Sequence, residues 1–369
     1  MDTLAQSVRE AAGRLATIIE QICGGCGNAC CHQGTMMGSA DLRRLYKGMH
    51  LDAALRARVT TGLRTRGREL REELAALEQV AEVLQRTVTA EQRPELGVLG
   101  ERLEEWRDFC DHLDTFDPLD LDSLSYLLRF SAIRSNALRL LRGFPGAVEA
   151  VAARTSPAAC FRADGRRLSA PRCLFHVADG CLAGVWKPAK CANFFCAGEP
   201  NVLAEVAREM PFDDFVQANF VPLSPDQVLR HVELELRLGR EFVDPKVIIA
   251  PNTALRQALL AALREHFLAV EVKQDAGPFM WSTGEAEIKL GALPPNVAYV
   301  IEAESVDGGA LYELAVALDR LRVAGTPPAF YLLAKTLSGP TFMPHPMWTD
   351  RLMSQPLGFL DLIAVEVAG

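Results

Sequence analysis

Apolar residues recur at helical spacing along the first two thirds of the chain. Leu4, Val8 and Ala11 are separated by three or four residues, and polar residues fill most positions between them. This period predicts an amphipathic helix over 2–22. Similar patterns predict helices over 40–90, 95–113, 119–142, 200–209 and 225–240. We expect the first of these to consist of two pieces that break near Gly48.

The last third of the chain alternates between short apolar runs and helical patterns. The apolar runs predict buried strands at 246–251, 268–274, 297–303, 330–336 and 359–368. Two helices are predicted between them, one capped by Asn252 and one over 309–323. The order β-α-β-β-α-β indicates a compact α/β domain. We therefore predict an α+β protein, with a mostly helical N-terminal region that carries a loop-rich cysteine metal site (1–243) and a smaller α/β domain (244–369).

Eight of the ten cysteines fall in two short runs, at 23–31 and 173–196. The runs consist of Cys23, Cys26, Cys30 and Cys31, and of Cys173, Cys181, Cys191 and Cys196. Cys-x2-Cys is a common spacing for two thiolates on one metal, and the glycines between Cys23 and Cys26 allow a turn there. Adjacent Cys30 and Cys31 point in different directions, so which of them binds stays open. We predict that the eight cysteines form a metal site.

The number of thiols bears on the kind of metal site. Eight thiolates exceed the four ligands of one tetrahedral zinc, and they suit two metals or one iron–sulfur cluster with additional thiols. Both kinds of site carry excess negative charge, which Arg172, Lys187 and Lys190 are placed to offset. Cys110 and Cys160 stand apart, and we interpret them as small apolar fillers of the interior.

Disulfides and a structural zinc are the two simpler interpretations of these cysteines. The N-terminal segment carries charges throughout and has no apolar signal core, so we expect a cytoplasmic protein with reduced thiols. A closed structural zinc site is the stronger alternative. His32 and His176 lie beside or within the runs, and either could replace a thiolate or lie near the metal without binding it.

The two runs resemble a known family. CGGCGNACC at 23–31 and CLFHVADGCLAGVWKPAKCANFFC at 173–196 are similar to the YkgJ-like cysteine-cluster domains, whose signature is CxxCxxCC followed by a second four-cysteine run. The chain departs from the pattern with three residues between Cys26 and Cys30, where two are usual, and with Lys187-Pro188 in place of Arg-Pro. The resemblance covers about residues 20–35 and 170–200.

This resemblance implies a cofactor and a class of reaction. The family's domains chelate zinc or iron, so it implies a 4Fe-4S cluster or iron as cofactor, with zinc as the alternative. The flagellin lysine N-methylases are a related branch with a similar N-terminal cluster. They imply methyl transfer from S-adenosylmethionine to a lysine of a protein or peptide partner, although the sequence contains no independent S-adenosylmethionine motif.

Composition excludes several classes of partner. The net charge of −8 argues against a general nucleic-acid binder. No apolar run approaches the roughly 20 residues of a membrane span. Two carboxylate pairs, Asp213-Asp214 and Glu302/Glu304, have suggestive spacing without an identifiable partner in the sequence. We expect a protein or peptide partner, no nucleic acid and no membrane, and the oligomeric state stays open.

The leading hypothesis is a cytoplasmic protein that binds an iron–sulfur cluster, iron or zinc and acts in redox chemistry or in modification of a protein or peptide. Lysine N-methylation is the enzymatic example that the resemblance supplies. The alternative is a structural zinc protein without enzymatic activity that serves as a partner-binding module. A metal chaperone or sensor with labile thiols is a third possibility. Catalytic residues are not identified.

A pair of substitutions tests whether the two runs share one site. Cys23→Ala and Cys191→Ala should each remove metal and destabilise the protein, because each deletes a ligand of the same centre. Cys110→Ala, outside both runs, should retain the metal. Metal content by elemental analysis checks this, and full metal stoichiometry in both ligand variants would refute a shared site.

Overall fold

The structure is a computed structural model, and its contacts divide the chain into two compact units. It describes residues 4–26, 39–154, 174–177, 180–186, 202–324, 328–338, 357 and 360–366. The helical unit consists of Asn28–Pro188, and the sheet unit consists of Met1–Gly27 together with Ala189–Gly369. Among the described helices, none is long and apolar enough to cross a membrane.

The helical unit contains six helices and a small hairpin among its described residues. Helix α1 (Leu4–Cys26) precedes them and belongs to the sheet unit. The helices are α2 (Ser39–Leu51), α3 (Ala53–Thr87), α4 (Arg93–Asp114), α5 (Leu121–Tyr126), α6 (Arg129–Leu141) and α7 (Ala147–Ala152). The hairpin pairs β1 (His176–Val177) with β2 (Gly180–Cys181), and a 3-10 turn follows at Gly184–Trp186.

The break between α2 and α3 lies at Asp52 and not near Gly48, where we predicted it. The Asp52 carboxylate accepts hydrogen bonds from the backbone N–H groups of Ala54 at 2.8 Å and Leu55 at 3.0 Å, which caps α3. Gly48 lies inside α2. A glycine within a helix is unfavourable but tolerated.

A buried ion pair lies in the core of the helical unit. Arg134 of α6 and Glu73 of α3 are 1% and 2% exposed and form a salt bridge, and the guanidinium lies 5.9 Å from the ring centre of Trp106. Cys110 of α4 is fully buried beside this core, and burial raises the pKa of its thiol to about 12. The interpretation of Cys110 as a buried filler is therefore confirmed.

The sheet unit alternates strands and helices. Its elements after α1 are α8 (Val202–Glu209), α9 (Phe212–Gln217), β3 (Val221–Leu223), α10 (Pro225–Leu238), β4 (Lys246–Ile249), α11 (Thr253–His266), β5 (Ala269–Phe279), α12 (Thr283–Gly291), β6 (Val297–Val306), α13 (Gly308–Ala324), β7 (Ala329–Leu337) and β8 (Asp361–Val365). The predicted domain boundary after residue 243 falls inside this unit, between α10 and β4.

Six of these strands form one sheet in the order β3-β8-β4-β7-β6-β5, and every neighbouring pair is parallel. Alternate strand residues, such as Ile301 and Leu332, join the apolar cluster that also contains residues of α1, α12 and α13. Lys246, which alternates with Val247 of that cluster, faces the opposite side and contacts Glu235 of α10. Both faces of the sheet are thus covered by helices, as parallel sheets require.

Helix α12 is an element that the pattern of apolar residues did not predict. We expected β5 and β6 to follow each other directly, but α12 connects them, which allows the two strands to be parallel. Its N-cap is Ser282, whose hydroxyl accepts a hydrogen bond from the Glu285 N–H at 3.3 Å. In the sequence, the signal for this helix is the pair of Ser282 and Glu285, which are three residues apart. The fold is otherwise α+β as predicted, with a mostly helical N-terminal region.

Candidate metal centre

The structure describes three of the eight cysteines predicted to bind metal. Cys23 and Cys26 lie in the last turn of α1, and Cys181 is the last residue of β2. The other five, Cys30, Cys31, Cys173, Cys191 and Cys196, lie outside the described residues, as does Cys160. The convergence of all eight on one site therefore stays a prediction.

The prediction of a turn between Cys23 and Cys26 is wrong, because α1 continues through both residues. Positions three apart lie on one face of a helix, so a helical turn also places these two residues on the same side. The Cys-x2-Cys spacing is compatible with either geometry. The glycines at 24 and 25 lower the local helix propensity, but the amphipathic pattern before them extends the helix to Cys26.

Cys181 lies in a short hairpin, directly across the ladder from His176. Cys181 is half-buried. The residues beside the ladder anchor it: Leu182 donates its backbone N–H to the Phe175 carbonyl at 2.9 Å, and both side chains are buried. A ladder of two-residue strands has little stability of its own, so the hairpin depends on what it packs against.

The hairpin and the turn that follows it pack against two glycines of the helical unit. A Cβ built at Gly48 of α2 would lie 2.5 Å from a ring atom of Trp186, and one built at Gly62 of α3 would overlap the Leu182 side chain. Trp186 and Leu182 are each 4% exposed. We call these two contacts the glycine notches. They allow the segment that carries Cys181 to approach the helix backbones more closely than any other residue type would permit.

Positive charge lies beside the same hairpin. Arg58 of α3 donates its Nε–H to the Leu182 carbonyl at 3.0 Å, and its guanidinium lies against Gly184, whose φ of +55° favours glycine. Lys47, next to Gly48 on α2, is fully buried. The three cations that we expected to offset thiolate charge, Arg172, Lys187 and Lys190, lie outside the described residues.

A second cluster of possible metal ligands lies in the sheet unit. The ligand atoms of His231 and Glu235 of α10 and Asp361 of β8 lie within 4.8 Å of one another, and all three residues are buried. Lys246 of β4 lies among them, with its Nζ 2.5 Å from Glu235 Oε2 and 2.9 Å from Asp361 Oδ2. His231 Nε2 is 3.2 Å from Asp361 Oδ2.

The position of Lys246 determines whether this cluster has room for a metal ion. Its ammonium group lies between the two carboxylates, which is where a cation bound by them would have to sit. Nζ also donates a hydrogen bond to the Asp244 carbonyl at 3.0 Å. We interpret the cluster as an internal ion network that joins α10, β4 and β8 and not as a metal site. Sequence patterns could not reveal it, because its members are up to 130 residues apart.

Of the carboxylates singled out in the sequence, Asp214, Glu302 and Glu304 have cationic or amide partners. Asp214 of α9 forms an ion pair with Arg14 of α1 at 2.8 Å. Glu304 forms an ion pair with Lys335 of β7, and Glu302 accepts a hydrogen bond from the Gln274 amide. These exposed or partly exposed contacts stabilise neighbouring elements and do not assemble a catalytic pair.

Comparison of the sequence with family models, with curated proteins and with solved structures gave no match. The similarity of the two cysteine runs to the cysteine-cluster family stays a prediction. The candidate centre consists of the half-buried Cys181 in its hairpin, the two glycine notches and the neighbouring positive charge of Arg58.

The Gly48 notch gives a testable prediction. Gly48→Ala should lower the free energy of unfolding by about 1–3 kcal/mol, because the added methyl group overlaps the rigid Trp186 ring. Gly100→Ala is the matched control within α4, where an added Cβ meets nothing within 4 Å, and it should stabilise by about 1 kcal/mol. Urea unfolding followed by circular dichroism measures both. Equal stabilisation by the two changes would contradict the close approach at Gly48.

The ion network gives a second prediction. Lys246→Met should destabilise the protein by about 3–5 kcal/mol, because it leaves two carboxylates buried without their central cation. Lys335→Met is the matched control, since its pair with Glu304 is partly exposed and should contribute about 0–1 kcal/mol. Urea unfolding at neutral pH measures the difference. A Lys246 variant as stable as the Lys335 variant would refute the network's role.

Proposed function

We propose that the chain is a cytoplasmic thiolate metalloprotein whose eight clustered cysteines hold a 4Fe-4S cluster or iron. The observation that supports this most directly is the seating of the Cys181 hairpin in the two glycine notches of α2 and α3. The ligands proposed are Cys23, Cys26, Cys30, Cys31, Cys173, Cys181, Cys191 and Cys196.

The notches carry an energetic cost in the helices that contain them. Glycine inside a helix destabilises it by roughly 0.5–1 kcal/mol relative to alanine, and Gly48 and Gly62 both lie inside helices. This cost is offset by burying Trp186 and Leu182 on either side of the turn that follows Cys181. A metal site benefits from such positioning, because ligands held before metal arrives lose less conformational entropy on binding.

Charge supports the same proposal. Four thiolates on an oxidised 4Fe-4S cluster leave a net charge of about −2, which nearby cations and N–H donors stabilise. Arg58 contacts the hairpin at Leu182 and Gly184. Trp186 is buried close to Cys181 in sequence and would limit the access of water to bound metal.

The reaction proposed for this centre is redox chemistry or modification of a protein or peptide. The likeness of the cysteine runs to those of flagellin lysine N-methylases favours a lysine-containing protein as substrate, with S-adenosylmethionine as methyl donor. A reducing compartment keeps the thiols available for metal, which is the reason for proposing a cytoplasmic location. A structural zinc protein that binds a partner is the alternative.

Metal and acid-labile sulfide content, measured with a visible spectrum on protein purified without oxygen, tests the proposal. We expect iron, sulfide and a broad absorption band near ~400 nm. Iron without sulfide would narrow the proposal to an iron site without a cluster. Stoichiometric zinc with no sulfide and no colour would refute both iron forms and support the structural alternative.

A matched pair of serine variants tests whether Cys181 binds the metal. Cys181→Ser should reduce the iron content and the ~400 nm absorption, because serine replaces one proposed ligand with a poorer one. Cys110→Ser serves as the control outside the clusters and should retain the spectrum in whatever fraction folds. An unchanged spectrum in the Cys181 variant would exclude Cys181 from the ligand set.

A further inference from the structure

Strand β5 forms one edge of the six-stranded sheet. It has 11 residues, and no other strand in the described part of the chain pairs with its outer side. The opposite edge strand, β3, has only three residues and contacts α1. A long open edge presents a row of backbone N–H and C=O groups that can pair with another strand.

The two halves of β5 differ in their capacity to pair. In the second half, the register with β6 shifts between Asp275 and Pro278, and the Gly277 N–H donates to the Asp275 carboxylate at 3.2 Å. Proline also lacks an N–H group, so this half is blocked for pairing. From Ala269 to Gln274 the register with β6 is continuous. This first half is the segment that is open to a further strand.

The charges of the open segment are complementary to those of the same segment in the reverse chain direction. Glu271 and Lys273 are both exposed, and they are register partners of Tyr299 and Ile301 on the same sheet face. Neither forms an ion pair with another described residue. Val272 lies between them on the opposite face and is 36% exposed. Glu271 and Lys273 are thus equally spaced about a central valine.

We propose that the β5 edge binds the β5 edge of a second copy of this chain in antiparallel orientation, with Val272 on the two-fold axis. Residues equidistant from Val272 then face each other, so Glu271 of each copy lies opposite Lys273 of the other. Opposite charges at directly paired positions stabilise antiparallel strands. The interface is isologous, and the two sheets join into one continuous sheet.

Registers centred on Glu271, Lys273 or Gln274 are less favourable for physical reasons. Centring the pair on Glu271 or on Lys273 sets like charges directly opposite each other, which is destabilising. Centring it on Gln274 brings the irregular segment around Pro278 into the ladder. A lysine on an edge strand ordinarily opposes pairing with a second copy, because the copy brings another lysine. Here that effect is reversed, since Lys273 meets Glu271.

An exposed apolar side chain lies beside the same edge. Leu268, directly before β5, is 87% exposed. Side chains of this kind at such exposure are costly in water, and burial against a second copy would remove apolar surface from solvent. The surface proposed here does not depend on the metal centre.

Charge reversal tests this surface on the full-length protein. Lys273→Glu and Glu271→Lys each convert both attractive pairs into repulsive ones, and each should weaken dimerisation at least about tenfold. The double variant Glu271→Lys/Lys273→Glu restores the complementary pairs and should dimerise like the wild type. Sedimentation velocity over a series of protein concentrations, under reducing conditions, measures the dimer dissociation constant, and circular dichroism verifies the fold of each variant.

The double variant is the decisive arm of this experiment. Recovery of the dimer in it supports direct pairing of Glu271 with Lys273 across the axis. A wild type that remains monomeric at all concentrations would overturn the proposal. So would single variants that dimerise normally, or a double variant that dimerises as weakly as the single ones.

Discussion

The close approach of the Cys181 hairpin to the backbones of α2 and α3 is the constraint on which the account of this protein depends. It requires glycine at positions 48 and 62, and it fixes where Leu182 and Trp186 are buried. A hairpin with two-residue strands has little stability of its own, so it depends on this packing and on contacts such as the Arg58 hydrogen bond. The helical unit therefore positions a segment of the second cysteine run, and its long helix α3 supplies both a notch and the Arg58 hydrogen bond.

The sheet unit is stabilised in a different way. Its parallel strands bury apolar side chains on both faces, and the ion network around Lys246 joins the starts of β4 and β8 to α10. Burying four ionisable groups is costly unless each charge is matched, so the network limits which residues can occupy these positions. The network lies at the amino ends of the strands, whereas ligand sites of parallel sheets lie at the carboxyl ends. A structural role agrees with that location.

Local signals allowed much of the fold to be predicted from the sequence. Ser224 and Asn252 cap α10 and α11, as the sequence predicts. A short polar residue directly before an apolar helical pattern is a typical N-cap signal. The sequence predicts a helix break near Gly48, but this glycine instead accommodates the Trp186 ring. Trp186 lies 138 residues further along the chain, so the residues around Gly48 do not indicate this role. The network around Lys246 and the placement of α1 beside β3 and β8 also arise from contacts distant in sequence. Spacing alone contains no information about such contacts.

X-ray absorption at the edge of the bound metal, measured on the full chain, tests the central claim most directly, because it counts the atoms that bind the metal. The account predicts a first shell of sulfur only, at about 2.3 Å for thiolate ligands, as expected if the cysteine runs supply them. A first shell dominated by nitrogen or oxygen at about 2.0–2.1 Å would contradict the account. It would place the metal on histidine and carboxylate groups and not on the clustered thiols.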